Sequence, residues 1–426
     1  MQNSVSEVAL SKVWGCLNKA IIVRGQGSYL FDEQDNRYLD FTSGIGVNST
    51  GHCHPKVVAA VQAQASQLLF GQLNCVRPKI TEQYAQALQA ITPKSIETFF
   101  FSNSGAEAVE GAVKLAKVAT GRTNMIAFDG GFHGRTAMTM ALTASKNIYR
   151  AGYQPLPSGV FTSPFPNAFR YGWESDQAVT FCLDQLDRLL KTQTSPAETA
   201  AMIIEPVLGE GGFLPAPVDF LIGLRKVCDE TGILLILDEI QSGFGRTGKM
   251  WAHESSGIVP DIMTMAKGIA SGLPMSAFGG SYELMSKLPT GSHGGTYGGG
   301  SAVAMAAAMA TLEVIEEEKL VQNAAKMGDY LQQQLSSLLS GLPTTVDIRS
   351  AGLMVGVEFD RDGKPDSEMA RSLQNGCLER GLMLLICGTD GNVIRWSPPL
   401  NVSVEEIDSA LEIFETAVQS AGSTTG

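Results

Sequence analysis

Five short apolar runs most constrain what this chain can become. They are "TFFFS" from residue 98, "MIAF" from 125, "AMIIEP" from 201, "ILLILDE" from 233 and "SAFGG" from 276. None alternates polar with apolar residues, so each reads as a strand buried on both faces. Helical patterns such as "GAEAVEGAVKLAKVA" and "VDFLIGLRKVCDETG" lie between them. This succession predicts an α/β fold, a mostly parallel sheet sandwiched by helices.

The texture changes after residue 312. A charged helix, "EVIEEEKLVQNAAKMGDYLQQQLSSLL", leads to short strands "GLMVGVEF", "LMLLIC" and "VIRWS". A last helix starts at "SVEE", a capping box of Ser403 and Glu406. With 426 residues, two domains are the default. We expect a large α/β domain over 49–312 and a smaller α+β domain over 313–426. Residues 1–48, with the hairpin-like "GSYLFDEQDNRYLDF", should pack beside the smaller one.

The net charge of −12 argues against nucleic acid or an anionic membrane as partner through a general basic face. Seven cysteines, widely spaced and without C-x-x-C, read as unpaired thiols of a reducing compartment, the cytoplasm. "MQNSVSEVALSKVWG" has no basic segment followed by an apolar block, so no signal peptide is expected. "SAVAMAAAMATLEVIEEE" is too short and too weakly apolar to span a bilayer, and reads as a closely packed buried helix.

Chemistry concentrates at a few points. In "PDIMTMAKGIASGLP", Lys267 follows an apolar run, with Asp261 the nearest charge. It is either a lysine reaching for water at a strand end or an amine held for reaction. In "FFFSNSGAEAVE", Ser104 to Glu107 forms a capping box that opens a helix. Gly105 lets a ligand approach bare amides, which suits phosphate, although an ordinary strand-to-helix turn looks the same. "LLILDEIQSG" puts Asp238 and Glu239 at the carboxyl edge of the sheet, facing the usual ligand crevice or capping a loop. "GFGRTGKM" imitates a P-loop, but Met250 stands where Ser or Thr must hold Mg²⁺. His52-Cys53-His54 reads as a turn before a helix starting at Pro55, and no metal site is expected. "GGFHGRT" (Phe132, His133, Arg135), "IIEPVLGEGG" (Glu205, Glu210), "GGTYGGG" (Thr296) and "VIRWSPP" (Arg395) each have an ordinary structural reading when taken singly.

Taken in order from "YLDFTSGIGVNSTGHCHP" to "VIRWSPPLNV", these motifs resemble those of class III pyridoxal-phosphate aminotransferases along nearly the whole chain. The resemblance implies a fold-type I homodimer with shared active sites, acting on small amino and keto acids. It implies that Lys267 carries pyridoxal 5'-phosphate and that Asp238 faces the pyridine nitrogen. Gln241 would bond the ring phenolate, and Gly105 and Ala106 the phosphate, with Ser104 at the same turn. Thr296 would reach the phosphate from the other subunit. Phe132 and Ile240 would cover the two ring faces, with His133 and Glu205 close by. For substrate, it implies Arg135 on the distal carboxylate and Arg395 on the α-carboxylate of glutamate. Glu210 would neutralise Arg395 when no α-carboxylate is present, and Ile45 would favour an unbranched ω-amino acid.

This set most resembles members that move an amino group from 4-aminobutyrate to 2-oxoglutarate. The alternatives are N-acetylornithine transamination, a racemase or aminomutase on the same fold, and a non-enzymatic binding protein. Three features depart from the pattern: Phe132 lacks a hydroxyl found in some relatives, Gly300 stands where Asn is common, and "FGQLNCVRP" is unfamiliar.

Overall fold

The computed structural model describes residues 9–342 and 344–422; residues 1–8, part of the stretch read as lacking a signal peptide, lie outside it. All five apolar runs enter one seven-stranded sheet. Its order is Thr98–Ser102, Ser276–Gly280, Ile262–Met265, Leu234–Asp238, Thr199–Ile204, Asn124–Phe128 and Val160–Ser163. Only Ser276–Gly280 runs against its neighbours; the other pairings are parallel.

The residues within each strand explain why the sheet needs cover on both sides. Side chains alternate faces along a strand. Ile126, Met202, Ile204, Leu235 and Leu237 meet Leu186, Leu189, Phe220 and Leu224 from helices Ser175–Thr192 and Val218–Thr231. Their neighbours Met125, Ala127, Ala201, Ile203 and Ile236 meet Val109, Ala112, Val113 and Ala116 of helix Gly105–Thr120. That helix lies very close to the sheet: a Cβ on Gly111 would fall 2.2 Å from the Phe278 ring.

A second sheet has the order Thr345–Ala351, Met354–Arg361, Val393–Trp396 and Leu385–Cys387, and is antiparallel throughout. Strands Ile22–Gln26, Tyr29–Asp32 and Arg37–Asp40 make a meander whose last strand pairs with Leu382–Met383. The N-terminal segment is thus hydrogen-bonded to the C-terminal part of the chain.

The charged helix expected after residue 312 is two helices. Ala302–Glu317 crosses that point unbroken, and Leu320–Leu339 follows. The chain turns at Lys319, which takes a left-handed φ of 54°. No glycine or proline marks the break, so the pattern ran through it. Helix Ala302–Glu317 is buried along much of its length and packs on Pro55–Ala65. Among the described residues, no helix is long and apolar enough to cross a membrane.

His54 caps helix Pro55–Ala65 and meets Glu318, while His52 meets Asp40 at 2.8 Å. Strand Val160–Ser163 went unread because it is a short, half-buried edge strand.

Candidate active site

The parallel strands end on one side, and their carboxyl ends supply most of the site. After Thr98–Ser102, Ser104 caps helix Gly105–Thr120 by accepting from the Glu107 amide. The Glu107 carboxylate accepts from the amides of Asn103 (2.6 Å) and Ser104 (3.2 Å). Gly105 and Ala106 stand in the first turn, where amides have no intrahelical acceptor, and both line the cavity. A Cβ on Gly105 would fall 2.9 Å from Ile240.

Asp238 ends the central strand and is buried. One carboxylate oxygen meets His133 Nδ1 at 2.7 Å, and the other accepts from Thr264 Oγ1 at 3.0 Å and the Ile240 amide at 3.2 Å. Burial would lower the His133 pKa, but the bond to Asp238 and its charge raise it above the ordinary value. These bonds fix the Asp238 carboxyl group at the wall of the cavity. Glu205, also buried, accepts from the amides of Phe132 (2.8 Å) and Gly209 (2.9 Å); burial above all pushes its carboxyl up to about 7.

Lys267 follows strand Ile262–Met265 and has a left-handed φ of 46°. It lines the cavity, and burial pulls its amine down to about 8, against the opposing charges of Glu210 and Glu205. The cavity measures about 420 Å³ and is also lined by Phe132, Arg135, Asp238, Ile240 and Gln241.

A second cluster adjoins it. Glu210 sits in the turn of the small hairpin Val207–Leu208 and Leu214–Pro215. One of its oxygens accepts from Arg395 Nη1 at 2.6 Å, and Arg395 comes from strand Val393–Trp396 of the second sheet. Burial opposes ionisation of Glu210, but Arg395 overrides it and holds the carboxyl at about 2. The other oxygen accepts from the Tyr149 hydroxyl at 2.9 Å. The Tyr149 ring carries the Arg135 guanidinium 4.0 Å from its centre and meets Phe132 edge-on at 5.3 Å.

Two expected residues stand apart from this cavity. Ile45 is exposed at a left-handed φ of 67°, in a short kinked helix. Thr296 is exposed and does not line the cavity of its own chain. Conversely, sequence reasoning missed Tyr149, Val47 and the stretch Gly272–Met275. Tyr149 lies in "SKNIYRAG", which has no apolar period or glycine motif to draw attention to it.

Residues 13–418 match the family described as Aminotransferase class-III. The chain belongs to that family. It is 39% identical over 421 residues to the 5-aminovalerate aminotransferase of Pseudomonas putida, covering 97% of this chain and 96% of that one. It is 38% identical over 420 residues to the 4-aminobutyrate aminotransferase of Escherichia coli (97% and 96% covered). A PLP-bound amine transaminase from an uncultivated Pseudomonas species superposes with a TM-score of 0.90 at 29% identity, covering 96% of this chain and 98% of that one. The chain is therefore a PLP-dependent aminotransferase.

The residues present fit the cofactor. Buried Gln241 Nε2 has no partner within the described residues, the Gly105–Ala106 turn offers amides to a phosphate, and Asp238 and Lys267 reach the same cavity. When bound, PLP supplies an electron sink for the charge left when a substrate C–H bond breaks.

Proposed function

We propose that this aminotransferase takes its amino group from an ω-amino acid such as 4-aminobutyrate and passes it to 2-oxoglutarate, giving an aldehyde and glutamate. The observation that carries this reading is the Glu210–Arg395 pair beside Arg135. Glutamate has two carboxylates and an ω-amino acid has one. A site that serves both needs one permanent cation and one whose charge is cancelled when the second carboxylate is missing. In our reading, Arg135 holds the shared distal carboxylate. Arg395 takes the α-carboxylate of glutamate and returns to Glu210 otherwise. The names of the relatives, acting on 5-aminovalerate and 4-aminobutyrate, support a donor of this class.

Within this proposal, Lys267 holds PLP and then moves the proton at the reacting carbon, for which an amine near neutrality is suited. Asp238 keeps the pyridine nitrogen protonated, and His133 and Thr264 keep Asp238 in place. Phe132 and Ile240 exclude water from the ring faces. Ile45 and Thr296, both exposed in the single chain, would serve the site across a homodimer interface. The exposed apolar residues Leu69, Phe70, Leu73, Val76 and Tyr297 support such an interface. Seven free cysteines support a reducing, cytoplasmic setting.

A donor screen with 2-oxoglutarate as acceptor tests the reading. Turnover of 4-aminobutyrate or 5-aminovalerate is expected. Turnover of N-acetylornithine alone would replace the substrate, and inversion of an amino acid with no keto product would replace the reaction.

A further inference from the structure

We propose that Tyr149 is a positioning residue that latches Glu210 onto Arg395, and so sets how the pocket divides its affinity between ligands with one carboxylate and with two. The inference rests on the proposed exchange of partners at Arg395.

The two oxygens of Glu210 have separate donors: Arg395 on one at 2.6 Å and the Tyr149 hydroxyl on the other at 2.9 Å. The backbone around Glu210 is tied on both sides. The Gly388 amide donates to the Glu210 carbonyl at 2.9 Å. Arg349 donates twice to the Gly212 carbonyl, at 2.7 and 3.0 Å, and the Gly209 amide donates to Glu205. With the turn held, release of Arg395 falls to the Glu210 side chain. That side chain must leave two donors, and one of them is the half-buried Tyr149 phenol, whose ring packs on Phe132 and Arg135. Burial and the Glu210 charge push this phenol up to about 12, so near neutral pH it remains a donor. The same ring supports Arg135. Tyr149 therefore touches Arg135 directly and reaches Arg395 through Glu210, with no hydrogen bond to either arginine among the described residues.

The hydroxyl acts on the closed arrangement only. A hydrogen bond to a buried carboxylate is strong enough for its loss to shift an equilibrium by about tenfold. Tyr149→Phe removes the hydroxyl and keeps the ring under Arg135. The test uses PLP-loaded enzyme and two unreactive probes of equal carbon number, glutarate and valerate, titrated by the change in cofactor absorbance. Glutarate must open the latch and valerate need not. In Tyr149→Phe, glutarate should bind about tenfold more tightly, with valerate unchanged or weaker. In Glu210→Gln, where the latched charge is gone, adding Tyr149→Phe should change neither.

Equal weakening of both probes would make Tyr149 a packing residue and overturn the proposal. So would unchanged binding, or weaker binding of glutarate alone. These probes are not substrates, so an enzyme that fails to use ω-amino acids would overturn the functional reading while the latch is still decided by the titrations.

Discussion

Glu210 and Arg395 meet at 2.6 Å with little of either side chain exposed. Removing one member of such a pair leaves a buried charge uncompensated, at a cost of about 3–5 kcal/mol. Glu210→Ala should therefore slow the 4-aminobutyrate half-reaction on the order of 10²-fold and the glutamate half-reaction much less. Arg395→Ala should do the reverse. Single-turnover rates for each half-reaction in both variants check this, and equal losses in the two halves would mean that the pair only shapes the pocket.

The Lys267 amine gives a pH dependence. Burial lowers it from 10.5 to about 8. In apoprotein, the rate of covalent PLP uptake should rise with pH up to about 8 and then level off, because only the free amine attacks. A rate still climbing past pH 10 would mean an ordinary lysine. The linkage sign follows: between about 8 and 10.5 the folded apoprotein binds fewer protons than the unfolded chain, so its stability should increase as pH rises through that window.

Asp238 is held by His133, Thr264 and a backbone amide, so Asp238→Asn keeps the shape and loses the charge. Turnover should fall on the order of 10²-fold or more, about 3 kcal/mol of barrier. His133→Ala, which frees the carboxylate without removing it, should cost less. Steady-state kcat at saturating PLP decides, and an Asp238→Asn variant within about twofold of the parent would contradict the assignment.

Much of this was legible before the structure. Buried strands announce themselves as unbroken apolar runs because helices cover both faces, and Asp238 and Lys267 stand out as charges at the ends of such runs. What could not be read depended on the third dimension. Tyr149 acts only because its loop returns to Glu210, a residue distant in sequence. The break at Lys319 rests on a left-handed residue with no local signal. Strand Ser276–Gly280 looked like its neighbours, because burial on both faces does not encode direction.

Two glycines should separate stability from chemistry. A Cβ on Gly111 would fall 2.2 Å from the Phe278 ring in the packed core, so Gly111→Ala should cost about 1–3 kcal/mol of stability or more. The protein that does fold should keep its activity. A Cβ on Gly209 would fall 1.8 Å from Gln241 Oε1. Gly209→Ala should displace Gln241 and weaken PLP retention more than it lowers the melting temperature. Denaturant melts and PLP dissociation rates, measured on both variants, test the contrast; matching profiles would refute it.

Thr296 allows a direct test of whether two subunits share each active site. It is exposed and absent from the cavity of its own chain. Suppose it completes the partner's site. A Lys267→Ala subunit then has no working lysine but lends an intact Thr296, while a Thr296→Ala subunit keeps its lysine and borrows that threonine. Each mixed dimer would hold one wholly native site and one carrying both lesions. With random exchange about half the dimers are mixed, so two preparations inactive at limiting PLP should regain about a quarter of parental activity on co-refolding. If Thr296 served its own subunit, no mixed dimer would contain a native site and activity would stay at the sum of the two variants. An active monomer in sedimentation would refute the shared site directly.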